Sequence, residues 1–217
     1  MSIQQWPLPS ILALYRLPDV NDSSGNSHTL TNNNSVAFGI GKLGNCAQFG
    51  AANSNKYLSH DDAFGKDLSG DASISLWVML LAQPATNDSF HFVRWGSTTG
   101  TSRAFGLYYS DTSGVNSLDF STSGGTIIHY NVTLELNKWY KVDVNISGTC
   151  ELFLNGAPIG SEARGTTTTP IAAVMLGASL APSRYVRGNI DEAVFFNATR
   201  TAQLIRRRYA FERGMLC

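Results

Sequence analysis

A chain of 217 residues and 23.5 kDa buries roughly 70% of its unfolded surface when folded as one domain, so its core needs no metal or disulfide staple. Charged residues are only 15% of the chain, sixteen bases against sixteen acids, which excludes the cationic excess of a non-specific nucleic-acid binder. No window approaches 18 continuous apolar residues, so no membrane-spanning helix is expected. Polarity is carried instead by 23 Ser, 17 Thr and 16 Asn, with 20 Gly besides, a composition of turns and β-structure.

The first ten residues read as an extended arm, apolar at Trp6-Pro7-Leu8-Pro9. They have neither the basic nor the apolar region of a secretory signal. Cys46, Cys150 and Cys217 are odd in number and widely spaced, which fits neither a disulfide framework nor a zinc site. Synthesis in a reducing cytoplasm is the expectation. The six Asn-x-Ser/Thr sequons, at Asn21, Asn33, Asn87, Asn131, Asn145 and Asn197, are then by-products of composition.

From residue 11 onward a period of two dominates. Short strand patterns occur at 11–17, 72–81, 90–95, 104–109 and 118–120, separated by breaks such as Gly96-Ser97-Thr98-Thr99-Gly100 and Asp111-Thr112-Ser113-Gly114. Residues 126–134 place Ile128, Tyr130, Val132 and Leu134 inward, with His129, Asn131 and Thr133 outward. In 139–147, Tyr140, Val142, Val144 and Ile146 alternate with Trp139, Lys141, Asp143, Asn145 and Ser147, the pattern of a half-buried strand. After 151–154, Asn155-Gly156 is a hairpin signal, because both central residues of a type I′ turn need φ > 0. Further strands follow at 173–176 and 190–196. Residues 201–213 carry the only helical period, with Ala202, Ile205 and Tyr209 on one face and Thr199 or Thr201 as cap. With no internal boundary, repeat or charged linker, residues 11–217 make one all-β domain, a two-sheet antiparallel sandwich closed by one short C-terminal helix.

The order of the pieces is itself informative. Asp22-Ser23-Ser24-Gly25-Asn26, Gly41-Lys42-Leu43-Gly44-Asn45-Cys46-Ala47-Gln48-Phe49, Ser73-Ile74-Ser75-Leu76-Trp77-Val78, Trp139-Tyr140-Lys141-Val142, the hairpin from Leu152 to Gly160, and the closing Gly188-Asn189-Ile190-Asp191-Glu192 follow one another along the chain. In this the chain resembles the concanavalin A-like superfamily, in particular the laminin-G-like jelly-roll domains. The resemblance implies a jelly-roll fold and leaves function open, since the fold hosts lectins, adhesion modules, glucanases and structural domains.

An enzyme is not expected. Glucanases of the superfamily carry carboxylates at i, i+2 and i+4 on one strand, and none of Glu135, Glu151, Glu162, Glu192 and Glu212 belongs to such a triplet. Asp191 and Glu192 are adjacent, so on a regular strand they face opposite ways. A structural Ca²⁺ is a candidate cofactor. Asp22 and Asn26 offer hard oxygens, and the resemblance implies that Asp191 comes near them; the competing reading is an Asx-type turn at Asp22 and Asn26. The same resemblance makes a cell-surface glycan a candidate ligand, with Trp95, Tyr108 and His129 as candidate contacts and Trp77 and Trp139 as packing.

The ends depart from the family pattern. Between Arg200 and Arg213 stand five Arg and one Glu, so Arg206, Arg207 and Arg208, with Trp6 and Leu8 at the other end, are candidate assembly contacts. The expectation is a non-enzymatic structural or decoration protein of a bacteriophage-like virion, made in the host cytoplasm, partnered by itself and other virion subunits, with host-surface or glycan attachment as a second role. The alternative is a soluble carbohydrate-binding or adhesion module working outside a cell or at its surface.

Overall fold

The computed structural model describes residues 10–52, 55–62, 64–66, 69–97, 105–122, 125–165, 172–179 and 184–214. Among the described residues, fifteen strands form two antiparallel sheets, and one helix follows them. The first contains β1 (Ile11–Tyr15), β3 (Ala37–Ile40), β4 (Asn45–Gly50), β6 (Ala72–Leu80), β11 (Trp139–Ile146), β12 (Thr149–Leu154), β13 (Ala157–Ala163) and β15 (Gly188–Phe196). Its order is β13-β12-β11-β6-β15-β4-β3, and β1 also pairs with β15. The second contains β2 (Thr31–Asn33), β5 (Tyr57–His60), β7 (Ser89–Ser97), β8 (Phe105–Thr112), β9 (Val115–Thr122), β10 (Gly125–Asn131) and β14 (Ala172–Leu176), in the order β10-β9-β8-β7-β14-β5-β2. Helix α1 (Ala202–Gly214) follows the last strand. This is the jelly-roll sandwich expected.

The inward faces meet in one core. Ile74, Leu76, Val78, Val142, Val144, Ile190 and Phe195 from the first sheet join Phe90, Trp95, Phe105, Leu107, Tyr109, Leu118 and Phe120 from the second. Within each strand these residues recur at every second position, except across the bulges in β7 and β15, where Phe90 and Trp95, and Ile190 and Phe195, stand five apart.

The outward face of the first sheet departs from the half-buried expectation. Lys141, Asp143 and Asn145 are all 1% exposed, because residues 197–201 and α1 lie over them. Arg200 donates to Asp143 Oδ1 at 2.8 Å, to Ser73 Oγ at 3.1 Å and to Ile74 O at 2.9 Å. Thr201 is the cap that forms, its Oγ1 accepting from Leu204 N at 3.2 Å. At the far end of α1, Glu212 accepts from Trp77 Nε1 at 2.8 Å and from Arg208 Nε at 2.5 Å, and pairs with Lys141 Nζ at 2.9 Å. Burial alone would raise the Glu212 carboxyl, but Lys141 and Arg208 outweigh it and hold it below its ordinary range. Burial pushes the Lys141 ammonium down, against the pull of Asp143 and Glu212.

Arg208 is thereby engaged within the molecule, also 3.9 Å from Glu192. The charge of this candidate assembly contact is thus met inside the molecule, by Glu212 one helical turn away and by Glu192 on β15. Arg206 and Arg207 are exposed. Trp6 and Leu8 lie outside the described residues.

Candidate functional site

The second sheet keeps a polar outward face, and its strand register assembles a site there. His91 on β7 sits opposite Tyr108 on β8, Tyr108 opposite Asp119 on β9, and Asp119 opposite His129 on β10. One row of chemistry thus crosses four strands. The adjoining row, Ser89, Ser110, Ser117 and Asn131, is built by the same pairings two residues along.

Asp119 organises the site. Its Oδ1 lies 2.6 Å from His129 Nδ1, while its Oδ2 accepts from Ser117 Oγ at 3.0 Å and from Ser110 Oγ. The carboxylate is 2% exposed and the imidazole 49%, so a buried acid orients an accessible ring. With Nδ1 committed to Asp119, Nε2 is the ring nitrogen left to meet a ligand. Tyr108 stacks on His91 at 4.8 Å and 14°, and His91 Nε2 is 3.3 Å from Ser89 Oγ.

Tyr108, Ser110, Asp111, Asp119 and His129 line a cavity of about 470 Å³ together with Asn87, Asp88 and Arg184 from the loops. That volume suits a small ligand. Three carboxylates face one guanidinium and one imidazole, so the cavity leans acidic and is dense in hydrogen-bonding groups.

Two of the three candidate glycan contacts, Tyr108 and His129, therefore share one site. Trp95 does not belong to it. A bulge between His91 and Val93 inserts Phe92 and reverses the alternation, turning Arg94 outward and Trp95 into the core, where it is 0% exposed against Phe64, Phe105 and Phe195. Asp119, Ser110 and Asp111 escaped sequence reasoning. The signal for Asp119 was the alternation of Ser117, Asp119 and Ser121 with Leu118 and Phe120, whose meaning depends on which strands flank it.

The calcium candidates are held separately. Asp22 Oδ1 accepts from Leu14 N at 2.9 Å and Ser24 N at 2.8 Å, and its Oδ2 from Ser24 Oγ at 2.7 Å and His28 N at 3.2 Å. Burial tends to raise this carboxyl, and the four hydrogen bonds bring it below its ordinary range. Asn26 donates to Ile11 O and Leu12 O, both at 2.9 Å. Asp191 instead accepts from Lys42 N at 2.7 Å and Leu43 N at 2.8 Å, in the β3–β4 turn; burial raises its carboxyl despite these bonds. The geometry around Asp22 is that of the Asx turn.

Asp191 and Glu192 also depart from simple alternation. A bulge between Asp191 and Val194 and a left-handed φ of 47° at Glu192 turn Glu192 toward Arg208 and toward Arg16, 4.0 Å away. Burial, with the neighbouring Asp191 charge adding to it, raises Glu192.

Comparison with known proteins agrees with this architecture. A laminin G profile, described as concanavalin A-like lectin/glucanases superfamily, matches residues 50–206. The chain belongs to that superfamily. Among solved structures it is similar to domain 4 of AbnA, a GH43 extracellular arabinanase from Geobacillus stearothermophilus in complex with arabinotriose, with a TM-score of 0.69 and 19% identity over 93% of this chain and 98% of that one. The binding domain of botulinum neurotoxin DC in complex with SialylT gives a TM-score of 0.68 at 12% identity over 93% of this chain and 51% of that one. The binding domain of Paraclostridial Mosquitocidal Protein 1 gives 0.67 at 12% over 92% and 52%. The chain thus spans about half the length of these toxin domains. No protein of curated function matches it in sequence. At such identities the likeness is one of fold. No helix among the described residues is long and apolar enough to cross a membrane.

Proposed function

We propose that this chain is a non-enzymatic glycan-binding module whose site is the cavity over β7–β10. The observation that carries the proposal is the cross-strand row His91, Tyr108, Asp119 and His129, which places an aromatic ring, a buried carboxylate and an accessible imidazole along one hydroxyl-rich groove. Sugars are bound through such groups: ring contact with an aromatic, and hydrogen bonds from fixed polar side chains to hydroxyls. Support also comes from fold relatives solved with arabinotriose and with SialylT. The acidic lean of Asp88, Asp111 and Asp119 against Arg184 favours neutral sugars over anionic ones, because an anion entering there meets like charge.

A glycan array probed with the fluorescently labelled chain tests this reading. Signal on neutral oligosaccharides, arabinan fragments included, and none on sialosides is the expected result; no signal, or signal on sialosides alone, would overturn it. The particle-decoration reading retains a narrower support, the exposed Arg206 and Arg207 beside Phe211, which is 67% exposed on the same helix.

A further inference from the structure

The β1–β2 loop and the end of β5 bring two imidazoles and a carboxylate together on the second sheet, away from the glycan cavity. Donor atoms of His28, His60 and Asp62 all lie within 4.8 Å of one another. His60 Nδ1 is 3.2 Å from Asp62 Oδ1, and the His28 and His60 rings meet edge to face at 5.2 Å. A tetrahedral Zn²⁺ with bonds near 2.1 Å separates its donors by about 3.4 Å, so one pair already has that spacing and a small rotation of His28 supplies the third.

The surroundings hold these groups in place. Phe64, 4% exposed, lies beneath both rings, 4.9 Å from His28 and 5.3 Å from His60. His28 is fixed at both of its peptide groups: its N donates to Asp22 Oδ2 at 3.2 Å, and its carbonyl accepts from the Tyr15 hydroxyl at 2.7 Å. His60 is seated by pairing with Val174 of β14. Asp62 Oδ1 accepts from Phe64 N at 2.5 Å. The apolar floor and the anchored backbone of the His28 loop give the donors a defined starting position. The four hydrogen bonds of Asp22 thus gain a purpose: they shape the loop that presents His28.

We propose that His28, His60 and Asp62 form a binding site for a divalent transition-metal ion of the Zn²⁺ type, the fourth position being filled by water. Two nitrogen donors and one oxygen select such ions over Ca²⁺, which prefers six to eight oxygens. The ion would tie the first loop to the edge of the second sheet, linking segments more than thirty residues apart.

The test is calorimetric titration of the untagged, chelator-stripped full chain with Zn²⁺, repeated with Co²⁺ while visible absorption is followed. One-to-one Zn²⁺ binding is expected, with a melting temperature raised by roughly 5–10 °C at a free Zn²⁺ hundredfold above the dissociation constant. Co²⁺ should give the absorption of a tetrahedral centre. His28→Phe and His60→Phe keep a ring on Phe64 and should abolish both signals, whereas any Ca²⁺ response should be the same in parent and variants. Asp62→Asn keeps an acceptor for Phe64 N at an exposed position; it should fold normally and weaken Zn²⁺ binding about tenfold or more. Absence of saturable Zn²⁺ binding to the parent, or stoichiometric binding that the Asp62→Asn and folded His→Phe variants retain unchanged, would overturn the proposal.

Discussion

Glu212 shows how much one side chain can hold. It is 3% exposed, yet Trp77, Lys141 and Arg208 all converge on it. Removing its charge leaves Lys141 buried without its partner, so Glu212→Gln should cost about 3 kcal/mol at pH 7. The pH dependence follows from the direction of its shift. A carboxyl held below its ordinary range stabilises the fold above the unfolded-state value, 4.5, and loses that contribution as pH falls through the folded-state value. Urea denaturation of parent and variant should therefore show a gap that is full at neutral pH and closes in strong acid. Asp191 and Glu192, whose carboxyls are raised, act with the opposite sign but are common to both proteins and cancel. A gap that widened on acidification would contradict this assignment.

At the scale of elements, the β12–β13 hairpin and α1 depend on each other. Asn155 and Gly156 have φ of 52° and 77°, the type I′ geometry that the Asn-Gly pair foretells. A Cβ on Gly156 would also lie 3.0 Å from Tyr209 Cβ and 3.3 Å from Arg206 Cα. Turn strain and helix contact act together, so Gly156→Val should destabilise by about 1–3 kcal/mol. Thermal melting checks this, and an unchanged midpoint would refute the packing of hairpin on helix. The hairpin was legible because its chemistry is local. So were the capped helix and the long alternating strands. The short strands β2, β3 and β5 were not: three or four residues such as Thr31–Asn33 hold too few apolar positions to show a period, and their partners lie elsewhere in the chain. Bulges were equally silent, since nothing in Phe90-His91-Phe92-Val93 marks where the alternation reverses and carries Trp95 into the core. The burial of Lys141 and Asp143 needed knowledge of what α1 would cover.

The two sheets of the whole molecule have different fates. One has its outward face sealed by α1 and the buried Arg200–Asp143 and Lys141–Glu212 pairs; the other keeps a polar cavity in the open. Tyr108 and His129 could be recognised from alternation as outward residues, but their convergence on Asp119 required the register of four strands. Because sealing stabilises and opening binds, the sealed face should tolerate loss of an exposed charge without affecting binding, and the open face should not. The most direct measurement is calorimetric titration of the strongest neutral oligosaccharide ligand into the parent, His129→Ala and Arg207→Ala. Loss of one buried ligand hydrogen bond whose partner is left unsatisfied corresponds to roughly tenfold in affinity. The account predicts that loss for His129→Ala, with near-ultraviolet circular dichroism unchanged, and parental affinity for Arg207→Ala. Parental affinity in His129→Ala, or binding lost only in Arg207→Ala, would place the glycan site elsewhere and contradict it.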